Sequence, residues 1–447
     1  MNIHFIGIGG IGISALAKFY FFQGHKISGS DIAQTQITNE LAEMGVEISI
    51  GHRAENIPYN ADLIVYTVAV SNDNLEFVMA KKSSIKIQTY AQALGDLTKE
   101  YFTIAVSGTH GKSTTTAMLA LILEKAGFDP TVIVGTKLKE WGNSNFRLGK
   151  SKYLLIEADE YRASFLNYWP KIIVLTNIEA EHLDFYRDIN HILETFRGYI
   201  GHLSKDGILV INEDDKYSRK LSPRGRPPEG WKGAVIRRVE NYSLRQCEAN
   251  KIKEILKIPG VHNIYNALAA LTTARLLGVS DEIIFGALLE FNGTWRRFEY
   301  RQTYNGTMIF DDYGHHPTEI KKTLEAAKEF MRAKNMEGAL WCVFQPHQLE
   351  RFNLLFNEFV GAFDVADKII ITDVYRVAGR EEENFGILAK QKVIDLMEQL
   401  KNRGKEVYFF HLDKELKKKL ANNLKVGDLV MLMGAGDIYL FDVNVDI

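Results

Sequence analysis

Residues 106–113 read VSGTHGKS, and the spacing Gly108-x-x-Gly111-Lys112-Ser113 suits chemistry on a nucleoside triphosphate. In a tight glycine loop the backbone N–H groups point at phosphate oxygens. A helix that starts there adds about half a positive charge. Lys112 brings a full charge for the outer phosphates and Ser113 a hydroxyl ligand for Mg²⁺. The usual pattern has a glycine where this chain has Val106, so the loop is a shortened variant. The plainer reading is an ordinary strand-to-helix turn with an exposed lysine. ATP or a similar nucleotide is the expected ligand.

A second glycine turn, Gly7-x-Gly9-x-x-Gly12, lies near the amino terminus, with Asp31 closing the next apolar run. This pattern specifies a phosphate-binding turn without naming the nucleotide. Asp31 is placed either to hold a ribose hydroxyl or to cap a helix. Acids and a histidine follow two further apolar runs, as Glu157-Ala158-Asp159-Glu160 and as IEAEHLD over 178–184. Carboxylates suit Mg²⁺, and His182 can join where a second metal bridges phosphates. Helix capping and solvated surface are the other reading of these acids. Asn263 and Asn266 sit about one helical turn apart and suit an adenine edge, although Asn263 also suits a cap. The pair His315-His316, after Asp311-Asp312, has no third ligand at metal spacing.

The elements that must position these groups are strands feeding helices. FTIAV before the phosphate loop is a buried strand, and helix begins within Gly111-Lys112-Ser113. IHFIGIGGIGISALAKF predicts strand, glycine turn and amphipathic helix, with KISGS as the next strand. ADLIVYTVAV, YLLI, KIIVLTN, ALWCVF, KIIIT and LVMLM are further strands, and several end in polar clusters. Repeated strand–helix alternation predicts α/β units with parallel sheets, whose ligands bind at the carboxyl ends of strands. Residues 216–233, rich in Pro, Gly and Arg, read as an exposed connection. The basic helix over 414–424 reads as a solvated face.

At 447 residues the chain needs more than one core. Boundaries are expected to give domains over 1–99, 100–293 and 294–447. A net charge of -2 makes no electrostatic case for nucleic acid or an anionic membrane. Two distant cysteines, Cys247 and Cys342, exclude a disulfide or zinc framework. No apolar run has membrane-spanning length, so a cytoplasmic protein is expected, with the choice between monomer and homodimer open.

In order, HFIGIGGIGISALA, SGSD, SGTHGKSTTT, EADE, TNIEAEHLDFY, HNIYNALAA, RRFE, DDYGHHPTEI, FQPH and MGAGDIY span nearly the whole chain. Together they resemble the Mur ligases, ATP-dependent amide-forming enzymes of peptidoglycan synthesis. The resemblance implies three domains: a Rossmann-like amino-terminal domain, a central phosphate-loop ATPase domain and a Rossmann-like carboxy-terminal domain. It implies that UDP-N-acetylmuramate, ATP, Mg²⁺ and an amino acid, L-alanine foremost, meet here through an acyl phosphate. Gly9, Gly10 and Gly12, with Asp31, His52 and Thr67, would then hold the UDP portion. Gly108, Thr109, His110, Gly111, Lys112, Ser113 and Thr114 would hold ATP, with Asn263 and Asn266 on adenine and Arg297 on the phosphates. Ser113 and Glu157 would hold one Mg²⁺ and His182 a second. Tyr313, His315 and Arg351 would face the incoming amino acid, and Lys112, Glu157, His182, Arg297 and His315 would carry the catalysis.

The departures concern the acceptor. Members that add alanine usually have two arginines after FQPH, and here the first is Gln348, leaving Arg351. Glutamine has no charge to pair with a carboxylate. EADEY, and Tyr90 where arginine is common, lean toward members that join a preformed murein peptide. Two other classes compete: a non-catalytic nucleotide-binding scaffold, and an NAD-dependent oxidoreductase that leaves the second phosphate loop unexplained.

Overall fold

The computed structural model describes residues 1–183, 185–222, 238–376 and 385–443. Most of the expected connection over 216–233, and Asp184, lie outside the described residues. The described chain packs as two compact units, residues 1–255 with 265–291, and residues 256–264 with 292–447.

The first unit opens with β1 (Asn2–Ile6), α1 (Ile11–Phe22), β2 (Lys26–Asp31), α2 (Gln36–Glu43), β3 (Glu47–Ile50), β4 (Leu63–Tyr66), α3 (Leu75–Lys82), β5 (Lys86–Thr89) and α4 (Tyr90–Glu100). The sheet runs β3-β2-β1-β4-β5, and every pairing in it is parallel. This is the doubly wound order that strand–helix alternation demands, with the glycine turn where the strand order reverses at β1. Thr35, Asn74 and Thr89 each accept an N–H at a helix start, which sets α2, α3 and α4. Asn74 thereby fixes the phase at which α3 turns Glu76 into the interior.

The same unit continues with β6 (Phe102–Ser107), α5 (Lys112–Lys125), β7 (Thr131–Leu138), β8 (Ser144–Arg147), β9 (Tyr153–Ala158), β10 (Ile172–Leu175), α6 (Ile189–Ile200), β11 (Ile208–Asn212), β12 (Arg238–Tyr242), α7 (Glu248–Ile255), α8 (Val261–Leu276, of which the unit takes the part from Tyr265) and α9 (Asp281–Glu290). Its second sheet runs β12-β11-β10-β6-β9-β7-β8, antiparallel only at β7–β8. β6 is central, with Ile104, Ala105 and Val106 wholly buried. Burying an Ile or Val side chain contributes about 1.5–3 kcal/mol, so the loop after β6 hangs from a strand anchored in the core. Because β9 and β10 flank β6, the acids and histidine that follow them arrive beside that loop.

The second unit holds β13 (Glu299–Tyr304), β14 (Thr307–Asp312), α10 (Pro317–Ala333), β15 (Leu340–Phe344), α11 (Leu349–Leu354), α12 (Phe356–Ala362), β16 (Lys368–Ile371), α13 (Phe385–Asn402), β17 (Glu406–Phe409), α14 (Lys414–Asn423) and β18 (Leu429–Met433). Its sheet runs β13-β14-β18-β15-β16-β17, parallel except at β13–β14. Buried Phe344, Phe352 and Phe359 pack α11 and α12 against it. Among the described residues, no helix is long and apolar enough to cross a membrane.

Candidate active site

The loop from β6 to α5 turns on two glycines with left-handed backbone, Gly108 at φ +130° and Gly111 at φ +81°. A Cβ on Gly108 would fall 2.1 Å from Thr176 Oγ1, and one on Gly111 2.3 Å from Asn266 Oδ1. No other residue fits either position. The segment after β10 clamps the loop from one side. Thr109 N–H donates to the Asn177 carbonyl at 2.9 Å, and His110 N–H to Asn177 Oδ1 at 3.0 Å. The Thr176 hydroxyl donates to the His110 carbonyl at 2.7 Å. α5 then starts at Lys112 with Gly111 as its cap, and a glycine offers no side chain to occupy the helix's first N–H groups. Ser113 and Thr114 are buried in that first turn. The arrangement is an anion site.

Lys112 curls back over the loop, donating to Gly108 O at 2.8 Å, Thr109 O at 3.2 Å and Glu160 Oε2 at 2.7 Å. Asp159 Oδ1 lies 3.7 Å away. Burial works against the ammonium, but the charges of Glu160, Asp159 and Glu157 outweigh it and raise the Lys112 pKa. Glu160 is 2% exposed. Burial pushes its carboxyl up to about 8 against the opposing pull of Lys112. His182 Nε2 lies 3.6 Å from Glu160 Oε1, at a residue whose φ of 56° is left-handed. Asp159, Glu160 and His182 each offer one ligand atom, all within 4.8 Å of one another. Two carboxylates and an imidazole beside a phosphate loop fit a divalent cation.

Sequence reasoning placed His182 here and read the acids of EADE as suited to Mg²⁺, but among them it chose Glu157 rather than Asp159 and Glu160. Glu157, two residues before Asp159 on β9, does not join them. Its Oε2 accepts the Gly135 N–H at 2.8 Å, on the neighbouring strand β7. Asn266 lies against the loop, accepting from the Thr115 hydroxyl at 3.2 Å.

At the other glycine turn, Gly7 has φ +80° and packs on Thr67, whose methyl would be 2.4 Å from a Cβ there. Asp31 neither caps a helix nor stands free, because its Oδ2 accepts the Gly9 N–H at 2.8 Å. Gly10 caps α1 and Gly12 faces the Tyr90 ring. His52 sits beside β2, with Nδ1 2.8 Å from Glu76 Oε2 and 3.1 Å from the Ser30 hydroxyl.

In the second unit, Arg297, Tyr313 and His315 come together around Glu319, which sequence reasoning had not named. Arg297 lies 5.1 Å from the Tyr313 ring centre and 3.5 Å from Glu319 Oε1. His315 Nδ1 is 3.6 Å from Glu319 Oε2, and its ring is 5.3 Å from that of Tyr313. His316 Nδ1 accepts the Thr318 N–H, so this second histidine caps α10. Asn263 lies inside α8 and donates back to the Pro259 carbonyl at 2.7 Å, so it is not the helix's cap. Arg351 lies in α11, directly after Gln348, whose φ is 62°.

Two glycine turns at the ends of parallel strands, one with a half-buried lysine among acids, define a nucleotide-using α/β enzyme. Models of the Mur ligase family match along the chain: the catalytic domain over residues 2–102, the middle domain over 106–274 and the glutamate ligase domain over 296–436. The chain belongs to the Mur ligase family, ATP-dependent ligases with a three-domain α/β architecture. The UDP-N-acetylmuramate–L-alanine ligase of Clostridium botulinum strain Kyoto is 41% identical over 451 residues, 98% of this chain and 96% of that protein. The crystal structure of UDP-N-acetylmuramate-alanine ligase MurC from Thermotoga maritima is similar at a TM-score of 0.78 and 29% identity, over 98% of this chain and 97% of that one. A murein peptide ligase from Psychrobacter arcticus shares the fold at a TM-score of 0.73 and 24% identity, over 99% and 97%.

Proposed function

We propose that this protein joins L-alanine to the carboxylate of UDP-N-acetylmuramate with cleavage of ATP, in peptidoglycan synthesis. The observation that carries the reading is Lys112, held among Gly108, Thr109 and Glu160 at the mouth of a glycine loop. Residues 1–99 form the sugar-nucleotide domain, 100–293 the ATP domain and 294–447 the amino-acid domain. We place its action in the cytoplasm.

A carboxylate is a poor electrophile, so its oxygen first attacks the γ-phosphorus of ATP, forming an acyl phosphate and releasing ADP. The amine of L-alanine then attacks the acyl carbon, and the tetrahedral adduct expels phosphate. The first step brings two anions together. Lys112, the loop N–H groups and the start of α5 offset that charge, and removing one such donor typically costs about 100- to 1,000-fold in rate. Ser113 and Glu157 would hold one Mg²⁺ and His182 a second, joined by Glu160. When bound, the metal supplies further positive charge to the phosphate oxygens. The Gly9, Gly10 and Gly12 turn, with Asp31, His52 and Thr67, holds the UDP portion. Asn263 and Asn266 serve adenine, Arg297 the phosphates, and Tyr313, His315 and Arg351 the amino acid.

A rival acceptor is a preformed murein peptide, favoured by Gln348 at the place of a carboxylate-binding arginine. Phosphate release with UDP-N-acetylmuramate, ATP, Mg²⁺ and a panel of amino acids and the murein tripeptide separates the readings. Release that requires L-alanine supports the proposal. Release with the tripeptide alone transfers it to the rival, and none with any acceptor leaves a scaffold.

A further inference from the structure

Under the first glycine turn lies a polar cluster that the reaction does not use directly. Glu76, on α3, has no exposed surface. Its Oε1 lies 2.6 Å from His4 Nε2, and its Oε2 takes the Ser30 hydroxyl at 2.6 Å and His52 Nδ1 at 2.8 Å. His4 turns its other nitrogen to the Ser28 hydroxyl at 2.8 Å. Burial alone would raise the Glu76 carboxyl, yet the bonds from His4, His52 and Ser30 together hold it down at about 2. A carboxylate can only accept, so the nitrogens that face it must carry protons.

The cluster reaches the turn by two routes. The carbonyl of Ser30 accepts the N–H groups of Gly7 and Ile8 at 2.8 and 2.9 Å, so the residue that bonds Glu76 also anchors the turn. His52 is the partly exposed member, its side chain 17% accessible while those of His4 and Glu76 are 1% and 0%. With Nδ1 committed to Glu76, its Nε2 is the nitrogen left for a ligand.

We propose that Glu76 is a positioning residue for the sugar nucleotide: it fixes the His52 ring with Nδ1–H inward, so that the Nε2 lone pair is presented as an acceptor to an O–H or N–H donor of the UDP portion of UDP-N-acetylmuramate. The inference rests on the reading of His52 as a ligand of that UDP portion. Second-sphere carboxylates set histidine tautomers in the same way at metal sites, where losing one costs about 10- to 100-fold in affinity.

A double-mutant cycle tests it, with UDP-N-acetylmuramate binding to the full-length protein measured by calorimetry and turnover by phosphate release. Glu76→Gln keeps shape and removes charge. It is expected to raise KM and Kd for the sugar nucleotide about tenfold, with kcat at saturation within about twofold. In a His52→Ala background the same change is expected to add less than about twofold. An equal effect in both backgrounds, or a loss in kcat without KM, overturns the proposal. If His52→Ala alone binds normally, the reading of His52 fails instead. Nitrogen-15 spectra of selectively labelled wild-type protein give a readout without any variant. A protonated Nδ1 on His52 is expected, and a bare Nδ1 refutes the positioning even if Glu76→Gln does not fold.

Discussion

Replacing Lys112 by alanine is the sharpest perturbation of the phosphate loop, because the structure predicts its pH signature as well as its loss of turnover. Burial holds the Glu160 carboxyl at about 8, well above its ordinary value of 4.5. At about pH 7 that group is therefore mostly neutral in the folded protein and ionised in the unfolded chain, with Lys112 charged in both. Removing Lys112 leaves Glu160 free to stay neutral, so the substitution adds no charge penalty there. Above about pH 8 the two proteins part. The wild-type carboxylate ionises beside its ammonium, whereas the variant must keep the carboxyl protonated. Each further pH unit then costs the variant about 1.4 kcal/mol relative to wild type. The stability gap should widen by about 1 kcal/mol between about pH 7 and pH 9, on top of a constant loss from the bonds to Gly108 and Thr109. Thermal melts at both pH values measure it, and Lys112→Ala/Glu160→Gln should show no widening. Phosphate release should be abolished at both. A gap that stays parallel across this range refutes the buried, proton-holding Glu160. A fully active Lys112→Ala refutes the phosphate-loop assignment itself.

Gly111→Ala forces a left-handed alanine and drives its Cβ to 2.3 Å from Asn266 Oδ1. It should lose about 1–2 kcal/mol of stability from the backbone alone and weaken ATP binding, and unchanged melting and ATP affinity would count against the loop geometry. Glu76, depressed from 4.5 to about 2, contributes stability that is present above 4.5 and lost as the pH falls through about 2. Acid titration of the melting temperature should therefore be shallower across that window in Glu76→Gln, and identical slopes would be contrary evidence. Gln348→Arg should lower the KM for L-alanine if that position reads the amino acid's carboxylate, and an unaltered KM speaks against the placement. Asp311, lifted to about 6 chiefly by burial and held near Arg296, should make Arg296→Met most destabilising above about pH 6, where the lone carboxylate must ionise or hold a proton. Denaturation midpoints at about pH 5 and pH 8 decide it.

Much of this could be read from the chain because the local signals agreed with one another. FTIAV before SGTHGKS predicted a buried strand feeding a helix, and β6 and α5 lie there. The acids and His182 were expected beside the loop because their strands end in polar clusters, and the sheet order puts β9 and β10 on either side of β6. Contacts that depend on side-chain direction were not legible. Within EADE the strand ends at Ala158, so its period no longer sets the direction of Asp159 and Glu160, and only the break there turns Glu160 back toward Lys112. Glu76 gave no signal because its partners His4, Ser30 and His52 come from three separate segments, and no local pattern encodes such a meeting. Asn263 was misleading in a different way. An asparagine near a helix start suits a cap, but α8 begins two residues earlier and turns the amide back to Pro259.

The two glycine turns of the first unit solve one electrostatic problem twice. A turn that offers N–H groups to phosphate must be held by acceptors beneath it, and carboxylates are the strongest acceptors available. Asp31 holds the Gly9 N–H, and Glu160 holds the lysine that bonds the Gly108 and Thr109 carbonyls. An uncompensated carboxylate so placed would repel the phosphate it helps to bind, by several kcal/mol at about 4 Å in a protein interior. The structure meets this by facing these buried acids with nitrogen donors: Glu76 faces two histidines, and Glu160 faces Lys112 with His182 close by. Anion binding at either turn then requires the nitrogen group that faces the acid to stay in place. Substitutions of these acids should therefore act on ligand affinity through the groups they hold in place.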